Sequence, residues 1–279
     1  MIELKNVTKR FKEVTALERV NVSFESNHIY GLLGRNGAGK STLLNLVTNR
    51  LFPTEGFVCA DDMPVIDNDK ALSLISYMGE DTLYDPSIAV RRIFEWTKLF
   101  YPSFDMDYAY GLAKKFSLDP KKKIGKLSTG YRSIAKLILT LASGAAYLLF
   151  DEPVLGLDAN HRQLFYDELL KRYADYPCTV ILSTHLIEEV AGIIDRVVII
   201  KDGGILLERD TEDIQKMGFT VSGPRDAVAA WCEDKNILGT QELGGLMLAH
   251  ILGERTDTPP VLTVTPLDLQ QLFIHLTNS

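Results

Sequence analysis

The segment Gly34-Arg35-Asn36-Gly37-Ala38-Gly39-Lys40-Ser41-Thr42 constrains the fold of this chain more than any other feature. It follows a short apolar run at residues 28–33 and precedes residues 39–48, whose apolar side chains recur at helical spacing. A glycine-rich turn between a strand and a helix can point its N–H groups at an anion, and the helix N-terminus adds partial positive charge. The segment therefore predicts a phosphate-binding loop. In it, Lys40 reaches the β- and γ-phosphates of a nucleotide, the Ser41 hydroxyl ligates Mg²⁺ and Thr42 supports the α-phosphate.

Two acidic side chains follow a second apolar run. Asp151 and Glu152 come directly after residues 147–150, which are predicted to form a buried strand. Ligands of open α/β sheets bind beyond the carboxyl ends of the strands, so both carboxylates are expected beside the phosphates. We expect Asp151 to hold the Mg²⁺ shell, and Glu152 to orient the attacking water or accept its proton. Taken alone, such a pair is also typical of a polar strand end.

Strand and helix patterns alternate along most of the chain. This alternation predicts a mostly parallel sheet with helices on its faces, and Asp202-Gly203-Gly204 predicts a hairpin turn. From about residue 86 to residue 115 the spacing is helical and aromatic residues accumulate. We interpret this stretch as a helical insertion whose aromatic residues pack in a core: Phe94, Trp96, Phe100, Tyr101, Phe104, Tyr108 and Tyr110.

The composition changes after about residue 217. Strands near residues 220–222, 246–251 and 261–264, and helices over 225–232 and 267–277, predict a small α+β domain with a loop at residues 256–260. No catalytic constellation is apparent in this part. A structural or dimer-stabilising role and a regulatory ligand site both stay open for it.

Charge and composition argue against several classes of protein. The 279 residues carry a net charge of −7, which disfavours a nucleic-acid-binding surface, because phosphate contacts need clustered Lys and Arg. Cys59, Cys178 and Cys232 are scattered without zinc spacing and predict reduced thiols in a cytosolic protein. The first residues lack the apolar region of a signal peptide, and no apolar run reaches the roughly 18–20 residues that span a bilayer.

Further segments, in their order along the chain, resemble the ATP-binding cassette (ABC) family of transporter ATPases. Phe11 precedes the phosphate loop, where the family stacks the adenine ring. Leu127-Ser128-Thr129-Gly130-Tyr131 is similar to the family's signature segment, usually Leu-Ser-Gly-Gly-Gln. Leu157-Asp158 resembles the D-loop that follows the catalytic glutamate, and Ser183-Thr184-His185 resembles the segment of the switch histidine.

The resemblance implies a fold, cofactors and site residues. The fold is an α/β P-loop NTPase cassette over residues 1–216, with an antiparallel N-terminal β-subdomain and a helical insertion at about residues 82–145, followed by a small α+β C-terminal domain at residues 217–279. The cofactors are ATP and Mg²⁺, with Glu152 and His185 as catalytic residues and Ser41, Asp151 and Glu80 as metal ligands. The implied nucleotide-binding residues are Phe11, Gly34, Asn36, Gly37, Ala38, Gly39, Lys40, Ser41, Thr42, Ser128, Gly130 and Asp158.

In this family two cassettes close head to tail around two ATP molecules. The resemblance implies that each complete site combines the phosphate loop, acids and switch histidine of one subunit with three residues of the other: Ser128, Gly130 and Asp158. The implied partners are a second cassette, in a homodimer or other pair, and an integral membrane permease subunit of an exporter. The chain is then expected on the cytoplasmic face of the cell membrane. A groove between the helical insertion and the Glu80 segment, bordered by residues 84–96, is expected to receive a short permease helix.

Two positions depart from the family pattern. Glu80 stands where the family has a glutamine that contacts Mg²⁺, and its carboxylate could ligate the metal more strongly or repel the γ-phosphate. Thr129 replaces the first signature glycine, and Tyr131 replaces the signature glutamine. Because a β-branched residue disfavours positive φ, a left-handed backbone at Thr129 would impair the site. The departures leave open a cassette that binds ATP but hydrolyses it slowly.

Other functions compete with transport. A soluble ABC-type ATPase acting on ribosomes or DNA would need two cassettes or long coiled coils, and neither pattern is apparent. Another phosphate-loop enzyme, such as a small kinase or GTPase, would leave residues 127–131 and His185 unexplained, and the guanine-reading Asn-Lys-x-Asp motif is absent. Export rather than import rests on the resemblance alone.

Overall fold

The computed structural model describes residues 1–81, 84–255 and 257–278. Its first part contains β1 (Ile2–Phe11), β2 (Val14–Phe24), β3 (Ile29–Leu33), α1 (Lys40–Val47), β4 (Glu55–Ala60), β5 (Met63–Pro64), α2 (Asp69–Leu72) and β6 (Ile75–Met78). The middle contains α3 (Val90–Phe100), α4 (Met106–Lys115), a 3₁₀ turn (Ile124–Lys126), α5 (Thr129–Leu141), β7 (Tyr147–Asp151), α6 (Ala159–Asp175), β8 (Thr179–Thr184), α7 (Ile187–Val190), β9 (Arg196–Lys201), β10 (Gly204–Asp210) and α8 (Thr211–Lys216). The last part contains β11 (Gly218–Pro224), α9 (Arg225–Cys232), β12 (Asn236–Leu243), β13 (Leu246–Leu252), β14 (Thr263–Pro266) and α10 (Leu269–Asn278).

The central sheet has the strand order β10-β9-β3-β8-β7-β6. All of its neighbouring strands pair in parallel except β9 and β10. Every residue of β3, β7 and β8 is buried, as expected for parallel strands covered on both faces. The arrangement confirms the predicted α/β fold. It also brings the ends of β3, β7 and β8, with the phosphate loop, Asp151 and His185, to one edge.

Two apolar clusters cover the two faces of this sheet. On one face, Leu32, Leu149 and Ile181 pack with α1 and with the antiparallel sheet β2-β1-β4-β5. On the other face, Phe150 and Leu182 pack with the helices α3 to α6. Alternate side chains of each strand thus enter different clusters, which fixes the orientation of the strands and of the loops that follow them.

The β9–β10 hairpin supports the phosphate loop. Asp202 and Gly203 have φ values of 47° and 79°, as a two-residue hairpin turn with both central residues left-handed requires, and the predicted hairpin is confirmed. The Gly203 N–H donates to the carbonyl of Ala38 (3.1 Å), and a Cβ at Gly203 would lie 2.8 Å from the carbonyl oxygen of Ala16. A side chain at Gly203 would therefore clash with β2 and strain the turn that holds Ala38.

The C-terminal residues form an antiparallel sheet with the order β12-β13-β11-β14. Helix α9 packs on one face, where Phe219, Val221 and Ile251 meet Val228. On the side of α10, the apolar residues Leu267, Leu269, Leu272 and Phe273 join the same cluster as the central sheet. Helix α10 therefore attaches the C-terminal sheet to the rest of the chain.

Several local predictions were wrong. Phe94 and Phe104 are buried, but Phe100, Trp96 and Tyr110 are 77%, 37% and 41% exposed, so these three are not core residues. Strand β14 begins at Thr263 rather than residue 261, because Leu262 N–H closes a turn onto the Pro259 carbonyl (2.9 Å). Residue 256, the first of the predicted loop at 256–260, lies outside the described residues.

The structure also shows the state of the cysteines and the length of the apolar helices. All three cysteines are buried with free thiols, as predicted. In the part of the chain that the structure describes, no helix combines the length and the apolar character needed to cross a bilayer.

Candidate active site

The phosphate loop owes its shape to glycines. Gly37 and Gly39 have φ values of 82° and 112°, a region that side chains with a Cβ rarely adopt. A Cβ at Gly34 would lie 2.7 Å from the Ile200 carbonyl oxygen, so this position is closed to larger residues. Gly39 caps α1 and has no side chain that could bond to the N–H groups of the first turn. The start of this helix can therefore receive an anion.

Lys40 projects from the first turn of α1 and is 6% exposed. Its Nζ donates to the carbonyl of Gly34 (2.7 Å) and, at 3.4 Å, to that of Arg35. The same Nζ lies 3.6 Å from Oε1 of Glu152. The ammonium group is therefore held inside the loop, with a carboxylate as its nearest counter-charge.

Asp151 ends β7 and is buried, with both oxygens engaged. The Ser183 hydroxyl donates to Oδ1 (2.8 Å), and the Tyr77 hydroxyl lies 3.4 Å from Oδ2. Burial, and after it the charge of Asp151, raise the pKa of Tyr77. Strand β8 and strand β6 thus each supply a donor that orients this carboxylate.

Glu152 connects the lysine to the histidine. Its backbone has φ of 48°, a left-handed conformation that costs a non-glycine residue on the order of 1–3 kcal/mol. Its N–H donates to the Ser183 carbonyl (2.9 Å), which holds this turn against β8. Oε2 of Glu152 then lies 2.9 Å from Nδ1 of His185. The strained turn aims the carboxylate at both Lys40 and His185.

A single cavity of about 480 Å³ collects most of the predicted site residues. Its lining includes Asn36, Gly37, Gly39, Lys40, Ser41, Thr42, Glu80, Asp151, Glu152 and His185. Ala16, Arg35 and Leu155 line it too and were not predicted. Arg35 lies inside the motif at a position without a required residue type. Ala16 and Leu155 carry no chemical signal that a sequence could show.

Three predicted residues of the same region lie outside the cavity lining. Gly34 and Ala38 shape the loop: the first accepts a hydrogen bond from Lys40, and the second accepts one from Gly203. Phe11 ends β1 and is 42% exposed. The Nζ of Lys9 lies 4.8 Å from the centre of its ring.

The signature segment forms the start of α5, away from this cavity. Ser128 caps the helix, and its Oγ accepts from the Tyr131 N–H (3.3 Å). Thr129 is the first helical residue and is not left-handed, so the backbone strain considered for it does not arise. A Cβ at Gly130 would lie 2.8 Å from the Gly156 carbonyl oxygen, so only glycine fits against this neighbouring loop.

Asp158 follows that loop and caps α6. Its Oδ1 accepts from the His161 N–H (2.9 Å), and its Oδ2 lies 2.8 Å from Nδ1 of His161. These bonds, the backbone one first, lower the pKa of Asp158. The structure therefore places Gly130 beside the loop that precedes Asp158. Neither residue lines the active-site cavity that contains Lys40.

Glu80 borders the active-site cavity, as its assignment as a metal ligand requires. Its backbone carbonyl accepts from Nζ of Lys136 (2.6 Å), as does that of Gly79 (2.7 Å). Burial lowers the pKa of Lys136. Among the described residues there is no cluster of three or more His, Cys, Asp or Glu side chains that could hold a metal alone. The oxygens of Ser41 and Asp151 still fit Mg²⁺, which usually takes one or two carboxylates plus phosphate oxygens and water.

A second cavity, also of about 480 Å³, lies between the segment before Glu80 and the helices of the insertion. We call it the aromatic groove. It is lined by Arg50, Tyr77, Gly79, Asp81, Tyr84, Trp96, Phe100, Tyr101 and Lys136, among others. A groove at this place, bordered by the aromatic stretch, was predicted. Three of its aromatic residues, Tyr77, Tyr84 and Tyr101, are partly buried against the apolar clusters of the fold.

Comparisons with known proteins agree with the fold described above. The family model described as ABC transporter matches residues 17–155. The ABC transporter ATP-binding protein YtrB of Bacillus subtilis (strain 168) is 27% identical, over 98% of this chain and 97% of YtrB. The SkfA peptide export ATP-binding protein SkfE of the same strain is 27% identical, over 74% of this chain and 87% of SkfE. The dimeric post-hydrolysis structure of the ATP-binding cassette MJ0796, bound to ADP and Pi, has a TM-score of 0.66 and 26% identity, over 76% of this chain and 99% of that one.

Proposed function

Because this chain belongs to the ABC transporter family of ATP-binding proteins, we propose that its ATP hydrolysis powers a membrane transporter from the active-site cavity described above. The chain is an ATPase of that family. One observation carries the assignment of the site: Glu152 lies 3.6 Å from Lys40 Nζ and 2.9 Å from His185 Nδ1. A carboxylate held between a phosphate-binding ammonium and an imidazole is well placed to take a proton from water.

Mg²⁺ is the metal we propose for this site. The Ser41 hydroxyl and the Asp151 carboxylate would hold it, and Glu80 would contribute from the same cavity. When bound, Mg²⁺ would neutralise charge on the phosphate oxygens. The chain's own residues orient the two carboxylates: Ser183 and Tyr77 contact Asp151, and His185 contacts Glu152.

A second cassette completes each site in this proposal. Ser128, Gly130 and Asp158 lie outside the cavity of their own chain, and Ser128 and Asp158 are exposed. The Ser128 hydroxyl and the N-terminus of α5 have the chemistry to meet a γ-phosphate across an interface. ATP would then hold two copies together, and its hydrolysis would release them.

The aromatic groove is the proposed docking place for a permease helix. Phe100 is 77% exposed at its border, and Arg50 and Lys136 offer positive charge beside it. We propose that the chain works on the cytoplasmic face of the cell membrane, where ATP is available. Phe100→Asp is expected to prevent co-purification of the chain with its membrane partner from native membranes. Leu243→Asp, at an equally exposed residue of the C-terminal sheet, should not.

Export is the proposed direction, supported by the family resemblance and by SkfE, a relative named for export. Other relatives are named for import. Inside-out vesicles that contain the chain and its permease decide between the two. A compound that ATP accumulates in the lumen indicates export, and one that ATP depletes from a preloaded lumen indicates import.

Glu152→Gln tests the ATPase assignment. We expect ATP binding to persist while turnover falls by roughly 10²–10⁴-fold, the usual contribution of a general base. The variant should also accumulate as an ATP-dependent dimer in size-exclusion chromatography with light scattering. Adding Ser128→Ala should weaken that dimer if the site is composite. Glu188→Gln, an exposed glutamate on α7, is the matched control and should behave as wild type. Normal turnover in Glu152→Gln would exclude Glu152 as the base.

A further inference from the structure

A separate cavity of about 410 Å³ lies where the C-terminal sheet meets the rest of the chain. Strands β11 and β13 contribute Thr220 and His250, α8 contributes Ile214, and Asp268 lies at the start of the segment that enters α10. It shares no lining residue with the active-site cavity. Its position between two parts of the fold is typical of small-molecule sites, and its volume is within their usual range.

His250 gives this cavity an unsatisfied polar group. The side chain is 3% exposed, and its Nδ1 lies 2.9 Å from the hydroxyl oxygen of Thr220. Its Nε2 is buried and has no hydrogen-bond partner among the described residues. An unpaired buried polar atom costs about 1–3 kcal/mol, so a ligand that supplied a partner would recover part of that free energy. Burial lowers the pKa of His250, and the Asp268 charge opposes this only in part, so the imidazole is neutral at neutral pH.

The Thr220–His250 pair determines what Nε2 can bind. The Thr220 hydroxyl can donate to Nδ1 or accept from it, so Nε2 can present either an N–H or a lone pair. A hydroxyl group both donates and accepts hydrogen bonds, and it therefore satisfies either tautomer.

Asp268 determines the charge that the cavity favours. With His250 neutral, Asp268 is the one charged side chain among the described residues that line it. Its Oδ1 accepts from the Gln270 N–H (2.7 Å), and the residue is exposed. The remaining walls are mostly apolar, including Ile214 and Leu248. A positive group therefore fits near Asp268, and an anion does not.

We propose that this cavity binds a small organic amine that also carries a hydroxyl group, an amino alcohol, with its ammonium at Asp268 and its hydroxyl at His250. A metal ion is a poorer match, because the described residues contain no cluster of three potential ligands. The apolar walls would cover the carbon chain between the two polar ends.

The ligand would also contact the segment that leads from the active site. Ala191 lines the cavity and directly follows α7, which begins two residues after His185. Thr211, another lining residue, donates through Oγ1 to the Ile194 carbonyl (3.0 Å) and so fastens α8 to the same segment. Occupation of the cavity is therefore expected to change the rate of ATP hydrolysis, a consequence that rests on the proposed function.

Isothermal titration calorimetry on the full-length chain tests the site directly. The probes are the linear amino alcohols from 2-aminoethanol to 6-amino-1-hexanol, with 1-hexylamine and 1-hexanol as probes that lack one polar end. We expect one member of the series to bind saturably at one site, at least tenfold more tightly than hexylamine or hexanol. Asp268→Asn and His250→Leu should each weaken its binding at least tenfold. Asp226→Asn, an exposed aspartate on α9 across the sheet, is the matched control and should leave binding unchanged.

The result is decisive even if one variant is unstable. Asp268 is exposed, so Asp268→Asn is expected to fold and to serve as the test where His250→Leu does not. Absence of saturable binding across the series, or equal binding by wild type and Asp268→Asn, would overturn the site. Binding without any change in ATP turnover would overturn the regulatory consequence. A chain that binds the amino alcohol but never hydrolyses ATP would overturn the proposed function and leave this site standing.

Discussion

The Tyr77 hydroxyl donates a hydrogen bond to Oδ2 of Asp151, with 3.4 Å between the two oxygens. The ring of Tyr77 lines the aromatic groove, where the Arg50 guanidinium lies 4.8 Å from its centre. Asp151 lines the active-site cavity. One side chain thus connects the proposed docking groove with a proposed metal ligand. Because its pKa is raised, Tyr77 stays protonated at physiological pH and remains a donor.

Tyr77→Phe is expected to lower the apparent affinity for Mg²⁺ in ATP hydrolysis while the protein stays folded. The ring stays in the groove, but Asp151 loses one of its two side-chain donors. A hydrogen bond of this length is weak for a charged acceptor. We therefore expect its removal to cost about 1 kcal/mol of Mg²⁺ binding free energy, which is about a fivefold rise in the half-saturating Mg²⁺ concentration. Tyr101→Phe is the matched control, because the Tyr101 hydroxyl lines the same groove but donates to the Ile75 carbonyl. Equal Mg²⁺ curves for wild type and Tyr77→Phe would show that the connection is not functional.

Lys40→Ala is expected to weaken ATP affinity by about 100-fold or more, since the phosphates lose a charged hydrogen bond worth roughly 1.5–3 kcal/mol and the loop loses its internal one. Lys40→Met keeps the buried alkyl chain and should lose affinity to a similar extent, which separates charge from packing. Fluorescence titration with a labelled ATP analogue measures both. Lys171→Ala, an exposed lysine on α6, should bind as wild type. Unchanged affinity in Lys40→Met would contradict the phosphate-loop assignment.

Glu80→Gln separates the two roles considered for this carboxylate. Lys136 holds the backbone carbonyl rather than the side chain of Glu80, so the change should leave the loop in place. If the carboxylate ligates Mg²⁺, the half-saturating Mg²⁺ concentration should rise about threefold or more, as expected for a loss of roughly 0.6 kcal/mol or more. If it repels the γ-phosphate instead, ATP affinity should increase. Asp81→Asn, whose side chain borders the aromatic groove, is the control. If Glu80→Gln and the wild type gave identical Mg²⁺ and ATP titration curves, Glu80 would have neither role.

The sequence could predict the parts of the site that depend on local patterns. Lys40, Asp151 and His185 each end or follow a strand of the central sheet, and parallel pairing of β3, β7 and β8 brings such ends together. The order of motifs was therefore enough to place them in one cavity. The hairpin at Asp202-Gly203 was equally local, because only residues that tolerate positive φ fit its turn.

The rest depends on tertiary contacts that no local pattern encodes. The role of Tyr77 follows from the pairing of β6 with β7, which places its hydroxyl near Asp151. Trp96 and Phe100 lie two and six residues after the buried Phe94, on the opposite face of α3. Helical spacing separates the two faces, but only the packing around α3 shows which of them is buried. Strand β12 is an edge strand with mostly exposed residues, and it lacks the alternation by which strands are recognised.

His250 is expected to make stability depend on pH. Its folded-state pKa is lowered by burial, so the unfolded chain binds the proton more readily than the native chain. His250 therefore causes no loss of stability at pH values above its unfolded-state pKa of about 6.5. Below that value the free energy of unfolding declines by at most about 1.4 kcal/mol for each pH unit. Thermal unfolding at pH 7.5 and pH 5.5 measures the effect, and His250→Gln should make the difference between the two melting temperatures smaller. Asp226→Asn, on the other face of the same sheet, should leave that difference unaltered. An equally large difference in His250→Gln and in wild type would mean that other groups cause the acid sensitivity.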